Sequence, residues 1–133
     1  MEEQPRPASS RFLNANDAHT QAMSLPISEI VSRLLELLDA TTIAVIAGVQ
    51  ETRAVHSWLS GREPQRPQVL RFALQLASMM AVTADAEYCK AWFHGSNPHL
   101  GDRVPMMMLR DLPLAEIQPD LLAAARLFAA RPQ

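Results

Sequence analysis

Three side chains in the second half of the chain belong to the types that bind zinc: Cys89, His94 and His99. They are five and five residues apart, and residues at that separation do not share one face of a helix. A structural zinc site also needs a fourth ligand and closer pairs, as in Cys-X-X-Cys. The spacing therefore favours a packed thiol and two loop histidines, and it predicts no metal ion.

Sequence motifs for other catalytic chemistry are missing from the 133 residues, which hold four glycines, scattered acids and one cysteine. We find no glycine-rich phosphate loop, no nucleophile elbow and no paired carboxylates. A single cysteine excludes an internal disulfide and suits a reducing cytoplasm. No apolar run approaches the ~20 residues of a membrane span, and the polar start has no secretory core. We expect a cytoplasmic binding protein that is not an enzyme and needs no cofactor.

Side chains able to contact DNA lie in the middle of the chain. Residues 41–71 hold four arginines and two glutamates, a net charge of +2, whereas residues 1–40 have a net charge of −3. A short apolar helix is expected to end at Gly48, and a second helix, with Val55, Trp58 and Leu59 inward, is expected to close at Gly61. This is the pattern of a helix-turn-helix. The outward residues, with the arginines placed to meet phosphates, would contact DNA: Gln50, Thr52, Arg53, His56, Ser57, Arg62 and Arg66.

The same pattern also fits two packed helices of an all-α bundle. Ala44 and Ala47 would allow a close helix crossing in either case. In a compact helix-turn-helix the inward residues follow the turn glycine by six and nine positions. Here Val55 and Trp58 follow Gly48 by seven and ten, so the turn is one residue longer. Both interpretations stay open at this point.

Helical periodicity continues through the rest of the chain, and no β-alternating run of useful length occurs. Residues 1–24 are polar and irregular, which predicts a flexible extension. Residues 68–81 are apolar nearly all round, which predicts a central, buried helix. We therefore predict an all-α fold of six to seven helices; those outside residues 41–61 cover about 27–38, 68–81, 85–94, 105–111 and 120–130.

A series of turn residues lies between two of these helices. Trp92-Phe93 ends a helix at Gly95, Asn97-Pro98 and Leu100-Gly101 form the connection, and Pro105 begins the next helix. Glycine after a helix and proline at its first position are common stop and start signals. The following methionines 106–108 cannot all face a core on one helical turn. At least one should be exposed and available to a partner.

This series resembles the C-terminal domain of antitoxins of the Xre/MbcA/ParS family. Thr41 to Gly61 is similar to the degenerate Xre-like helix-turn-helix that these proteins carry upstream. The order of elements also matches, from about Ile27 to Ala130. The residues that carry the resemblance, and that we expect to fix the loop, are Trp92, Asn97, Pro98, Leu100, Gly101, Pro105 and Leu109.

The composition predicts a flexible N-terminal extension (1–24), which is not part of the shared pattern. The resemblance implies a degenerate helix-turn-helix region (25–66) and a helical toxin-binding domain (67–133). It implies an antitoxin that neutralises a cognate RES-domain toxin, which degrades NAD, by obstructing its active site. Such a protein forms a homodimer or a hetero-oligomer with toxin, and can repress its own operon by binding operator DNA. The alternative is a stand-alone helix-turn-helix regulator. The positions expected to contact a toxin are Arg103, Met106, Met107, Arg110, Arg126 and Arg131.

Overall fold

The computed structural model describes residues 15–131 of the chain. Their regular secondary structure is helical. These residues form eight α-helices and one short 3-10 turn, with no β-strand beyond an isolated bridge between Asn97 and Arg103. The predicted all-α class is confirmed, but the count of six to seven helices was too low. The helices are α1 (Ala15–Ser24), α2 (Ile27–Leu37), α3 (Ala40–Ala47), α4 (Thr52–Leu59), α5 (Pro67–Ala81), α6 (Ala86–His94), α7 (Pro105–Asp111) and α8 (Leu114–Ala129), with the 3-10 turn at Pro98–Leu100.

The additional helix is α1, which falls within the extension predicted as irregular. Its Ala18 and Ala22 are buried, and the helix packs against α5. The carbonyl of Ala22 has no helical donor because Pro26 lacks an N–H. Arg71 supplies one, since its Nη1 donates to the carbonyls of Ala22 at 3.1 Å and Leu25 at 2.6 Å. The sequence did not predict α1 because its inner face consists of small alanines, which give no apolar periodicity. Residues 1–14 of the predicted extension lie outside the described residues.

The most buried element is α5, as its sequence predicts. Eleven of its 15 residues are buried, and α1, α2 and α8 pack around it. The buried residues form one continuous apolar cluster that runs from Ala18 to Ala125. The region predicted as a helix-turn-helix and the region predicted to bind a toxin therefore share a core.

The last helix begins six residues earlier than expected, at Leu114 instead of Asp120. Proline inside a helix removes a hydrogen bond and usually marks a boundary, which is why the sequence predicted a start after Pro119. Here Pro119 is exposed in the second turn, where the missing N–H leaves a carbonyl open to water. Ile117 and Leu121, four residues apart, are both buried and hold the helix to the core on either side of the proline.

The helices of residues 15–131 include none with the length and apolar character needed to cross a bilayer.

Candidate functional site

The region predicted as a helix-turn-helix forms two helices, α3 and α4, joined by a turn. Gly48 ends α3 in the left-handed conformation (φ 77°), which glycine adopts without steric cost. Val55 and Trp58 are buried. Leu59 was predicted to face inward but is 39% exposed. It is the last residue of α4, and its side chain is rotated about 100° around the helix axis from that of the buried Trp58.

The residues predicted to contact DNA lie on the surface of this region. Of the seven, five are exposed, and Ser57 and Arg66 are half-buried. Several of them line a groove of about 620 Å³ between α4 and the connector that follows it. We call this the α4 groove; its charged and hydroxyl-bearing lining residues are Glu51, Arg53, Ser57, Arg62 and Glu63.

Three of the polar side chains in the α4 groove, those of Glu51, Arg53 and Ser57, already have partners within the chain. Arg53 Nη2 lies 2.7 Å from Glu51 Oε2, and Ser57 Oγ donates to the carbonyl of Ala54 at 2.6 Å. Two glutamates and two arginines leave the lining with no net charge. An exposed ion pair is worth only about 0–1 kcal/mol, so phosphate can displace Glu51, but the groove offers no excess of positive charge.

Arg66, predicted to face phosphates, has a structural position instead. Its Nη2 donates to the carbonyl of Leu109 at 2.9 Å, and its Nη1 donates to those of Arg110 at 3.1 Å and Ile46 at 3.4 Å. These carbonyls belong to the last turns of α7 and α3, where no helical N–H is available. Arg66 thus joins the two helix ends and is not a free cation on the surface.

A second polar link joins α3 to the end of α6. The Thr42 hydroxyl donates to Asp39 Oδ1 at 2.6 Å, and it therefore accepts from Nε2–H of His94 at 2.8 Å. Hydrogen bonds from the Thr42 hydroxyl and backbone N–H lower the pKa of Asp39, and Lys90 nearby adds to the effect. With Nε2 donating to a hydroxyl, that nitrogen of His94 is not a free metal ligand.

Cys89 is a packed thiol. It is fully buried, and burial, with the charge of Asp85 as the smaller cause, raises its pKa to about 12. The thiolate is the reactive form of cysteine, and very little of it exists near neutral pH. Among the residues that the structure describes, no three His, Cys, Asp or Glu side chains are grouped so that they could hold a metal ion.

The loop between α6 and α7 is closed around Asn97. Its buried side chain accepts a hydrogen bond from the backbone N–H of His99 at 2.9 Å. Its own N–H donates to the carbonyl of Arg103 at 3.0 Å, and its carbonyl accepts from the N–H of Asp102 at 2.8 Å. Gly101 and Asp102 both adopt positive φ, 66° and 64°, which is uncommon for an aspartate. The hydrogen bonds around Asn97 hold this turn closed.

Apolar anchors fix the loop to the core at three points: Trp92, Leu100 and Leu109 are all buried. The Trp92 and Phe93 rings meet edge to face, with centroids 5.1 Å apart. Pro98 begins the 3-10 turn and Pro105 begins α7. The seven residues of the sequence series thus occupy one compact structural unit.

A second groove, of about 610 Å³, lies between the end of α6, this loop and the end of α8. Tyr88 and Leu127 line it and are 59% and 48% exposed. Trp92 also lines it and is only 7% exposed, yet its Nε1–H has no acceptor among residues 15–131. We call this the Trp92 groove; its basic lining residues are His99 and Arg131, and none of its described lining residues is Asp or Glu.

The six residues expected to contact a toxin are spread over the second half of the structure. Arg131 lines the Trp92 groove, and the five others are not among the described residues that line it. Met107 is 37% exposed while Met108 is buried, so the expectation that one methionine faces solvent is confirmed; Met106 is half-buried. Arg103, Arg110 and Arg126 are exposed, and Arg110 pairs with the neighbouring Asp111 at 2.6 Å.

Sequence reasoning missed the apolar residues Tyr88, Leu127 and Phe128 of the Trp92 groove. Each fits a helical apolar stripe, and nothing in the pattern distinguishes a groove wall from a core position. Comparison with known proteins adds no relative: no family model, curated protein or solved structure matches this chain. Its function has to be inferred from its residues and their geometry.

Proposed function

We propose that this chain is an antitoxin, similar to those of the Xre/MbcA/ParS family, that neutralises a RES-domain toxin. One observation carries the proposal. The residue series that resembles the toxin-binding domain of that family, from Trp92 to Leu109, forms a closed loop with three buried anchors. A loop held in this way presents α7 and the end of α8 in a fixed pose. Binding by a preorganised surface loses little conformational entropy.

Neutralisation of an NAD-degrading enzyme requires no chemistry from the antitoxin. A protein that covers the active site, or the path to it, stops turnover by steric exclusion. Large apolar side chains exposed on the second half, such as Tyr88, Leu127 and Met107, supply the kind of surface that a stable interface buries. We propose that the chain acts in the cytoplasm, where it forms a homodimer or a hetero-oligomer with the toxin.

Co-expression with the product of the adjacent gene tests the proposal. Alone, that product should arrest growth and deplete cellular NAD. Together with this chain, growth and the NAD pool should return to the level of cells that carry neither, and the two proteins should copurify. An adjacent protein without a RES domain, or one that stays toxic in the presence of this chain, contradicts the proposal.

A stand-alone transcriptional regulator is the second candidate function, and the exposed Gln50, Thr52, Arg53 and His56 favour it. These are hydrogen-bonding side chains of the kinds that contact base edges. The candidate predicts a gel shift with the DNA upstream of the gene, weakening steeply as salt rises. Absence of a shift at low salt would exclude it. Operator binding by the antitoxin itself would give the same shift together with neutralisation.

A further inference from the structure

We propose that the Trp92 groove binds a segment of a partner protein that combines a carboxylate with an apolar side chain. The identification of that partner with the toxin rests on the proposed function. The chemistry of the segment does not, because it follows from the groove alone.

The first indication is the unpaired donor. Trp92 is more than nine-tenths buried, and its Nε1–H reaches no acceptor within the described residues. Buried indole N–H groups usually have a partner, and leaving a buried donor unsatisfied is unfavourable. The Nε1 atom itself has almost no solvent-accessible surface, so an acceptor from another molecule in the groove reaches it only when the indole or the groove wall shifts on binding.

The second indication is the apolar wall. Tyr88 on α6 and Leu127 on α8 are two of the large hydrophobic residues exposed on the structure, and both line the same groove with half-buried Phe128. An apolar side chain placed between them would take all three out of water. Removal of large apolar side chains from water is favourable in proportion to the apolar area that is buried.

The third indication is charge. Arg131 and His99 line the groove, and none of the described residues that line it is Asp or Glu. Among residues 15–131, Arg131 has no partner of opposite charge to displace, unlike Arg53 beside Glu51 in the α4 groove. A carboxylate is the ligand group that matches an arginine. An anionic acceptor therefore suits both the guanidinium and the indole N–H.

Indole NMR on the full chain tests the proposal directly, because the sequence holds two tryptophans. Trp58 lies on α4, outside the Trp92 groove, and its Nε1–H signal serves as the internal control; a Trp58→Phe variant assigns the two signals. The probe is the peptide acetyl-Gly-Leu-Asp-Leu-Gly-amide, and its counterpart with Asn in place of Asp is the matched ligand. We expect the Asp peptide to move the Trp92 signal and leave that of Trp58 in place.

The Asn peptide should bind about tenfold more weakly, since a hydrogen bond to a charged group is roughly twice as strong as a neutral one. Equal affinity of the two peptides would contradict the proposal that the groove recognises a carboxylate. A Trp92 signal that neither peptide moves would overturn the groove as a binding site.

Paired variants separate the groove from the general charge of α8. Arg131→Glu should weaken binding of the Asp peptide at least about tenfold through like-charge repulsion. Arg126→Glu, a change of an exposed arginine in the last turn of α8 and outside the lining, should change binding less than about twofold. Equal losses in the two variants would contradict a specific site. Leu127→Asp alters an exposed residue, so it should fold and should also lose binding.

The same variants distinguish failure of this inference from failure of the proposed function. If the toxin binds the parent chain and the Arg131→Glu and Leu127→Asp variants equally well, the groove proposal falls and the antitoxin function stands. If the toxin does not bind at all while the Asp peptide still moves the Trp92 signal, the function falls and the groove remains.

Discussion

Two grooves of nearly the same volume, about 620 and 610 Å³, open on opposite halves of the sequence and differ in the state of their polar groups. In the α4 groove, Arg53 is paired with Glu51 and the Ser57 hydroxyl is bonded to its own helix. In the Trp92 groove, the indole N–H is buried without an acceptor and apolar side chains are exposed around it. Size therefore does not separate the two grooves; the exposed apolar side chains and the buried, unpaired indole N–H of the Trp92 groove do.

A polar group that already has a partner gains little by exchanging it for a ligand. A buried donor without one, next to exposed apolar surface, gains both a hydrogen bond and the removal of that surface from water. For this reason we assign the main binding role to the second half of the chain. The two halves nevertheless form one core. Substitutions in either half are therefore expected to change the free energy of unfolding, by amounts that show which side chains hold each surface in place.

The largest expected effect concerns the anchor beneath the loop. Leu109→Ala should lower the free energy of unfolding by about 2–5 kcal/mol, because Leu109 is fully buried and the change leaves a cavity. Leu59→Ala, the matched change on exposed α4, should cost less than about 1 kcal/mol. Urea denaturation followed by circular dichroism measures both. Similar losses in the two variants would show that the loop is not held more firmly than the α4 surface.

Arg66 and Arg62 provide the next contrast. Arg66→Ala leaves the carbonyls of Leu109, Arg110 and Ile46 without their donor, and should cost about 1–3 kcal/mol of stability. Exposed Arg62→Ala should stay within about 0.5 kcal/mol of the parent. The midpoints of urea unfolding decide the matter. A destabilised Arg62 variant beside an unaffected Arg66 variant would reverse the assignment of the two arginines.

A smaller effect is expected at the start of α3. Asp39→Ala removes an N-cap that accepts from the Thr42 N–H at 2.8 Å, and should cost about 1 kcal/mol at neutral pH. Because the pKa of Asp39 is lowered in the folded chain, this contribution is present above its ordinary pKa of 3.8. It is lost as the pH falls through the folded value. The difference between parent and variant should therefore shrink below about pH 4.

The control for Asp39 is Asp120→Ala, which removes an exposed carboxylate from the middle of α8. This variant should leave stability at neutral pH within about 0.5 kcal/mol of the parent. A parent–Asp39→Ala difference that stays constant from neutral pH to pH 3 would argue that the carboxylate does not carry the cap.

The smallest effect is expected in the α4 groove. Arg53→Ala removes one positive charge that Glu51 already offsets, so binding of the upstream DNA in a gel shift should weaken less than about threefold. Glu51→Ala is the informative partner variant, since it frees Arg53 and should strengthen retention of DNA. A loss of DNA binding of about tenfold or more in Arg53→Ala would instead indicate direct base or phosphate contact.

The sequence was sufficient to predict those elements whose signals are local. Gly48, Gly61 and Pro105 mark helix boundaries, and the apolar run of α5 gives its central position. The sequence was insufficient where the position of a residue depends on contacts with residues far away in the chain. Ala18 and Ala22 are buried on α1, which packs against α5. Arg66 donates hydrogen bonds to carbonyls more than forty residues away.

The Trp92 groove was hidden for a similar reason. Trp92 was recognised as an anchor, but Tyr88 and Leu127 lie on different helices and meet only in the folded chain. No periodicity shows that an indole N–H will be left without an acceptor. Leu59 illustrates the converse: its apolar character predicts burial, and its place at the end of α4 exposes it.

The central claim is that this chain inactivates an NAD-degrading toxin by binding it. The most direct test is to titrate the purified full chain into the purified product of the adjacent gene, which we propose to be a RES-domain toxin, and to follow the loss of NAD. We predict that the rate of NAD loss falls in proportion to added chain and reaches the background rate at a fixed molar ratio. An unchanged rate of NAD loss in the presence of excess chain would contradict the claim.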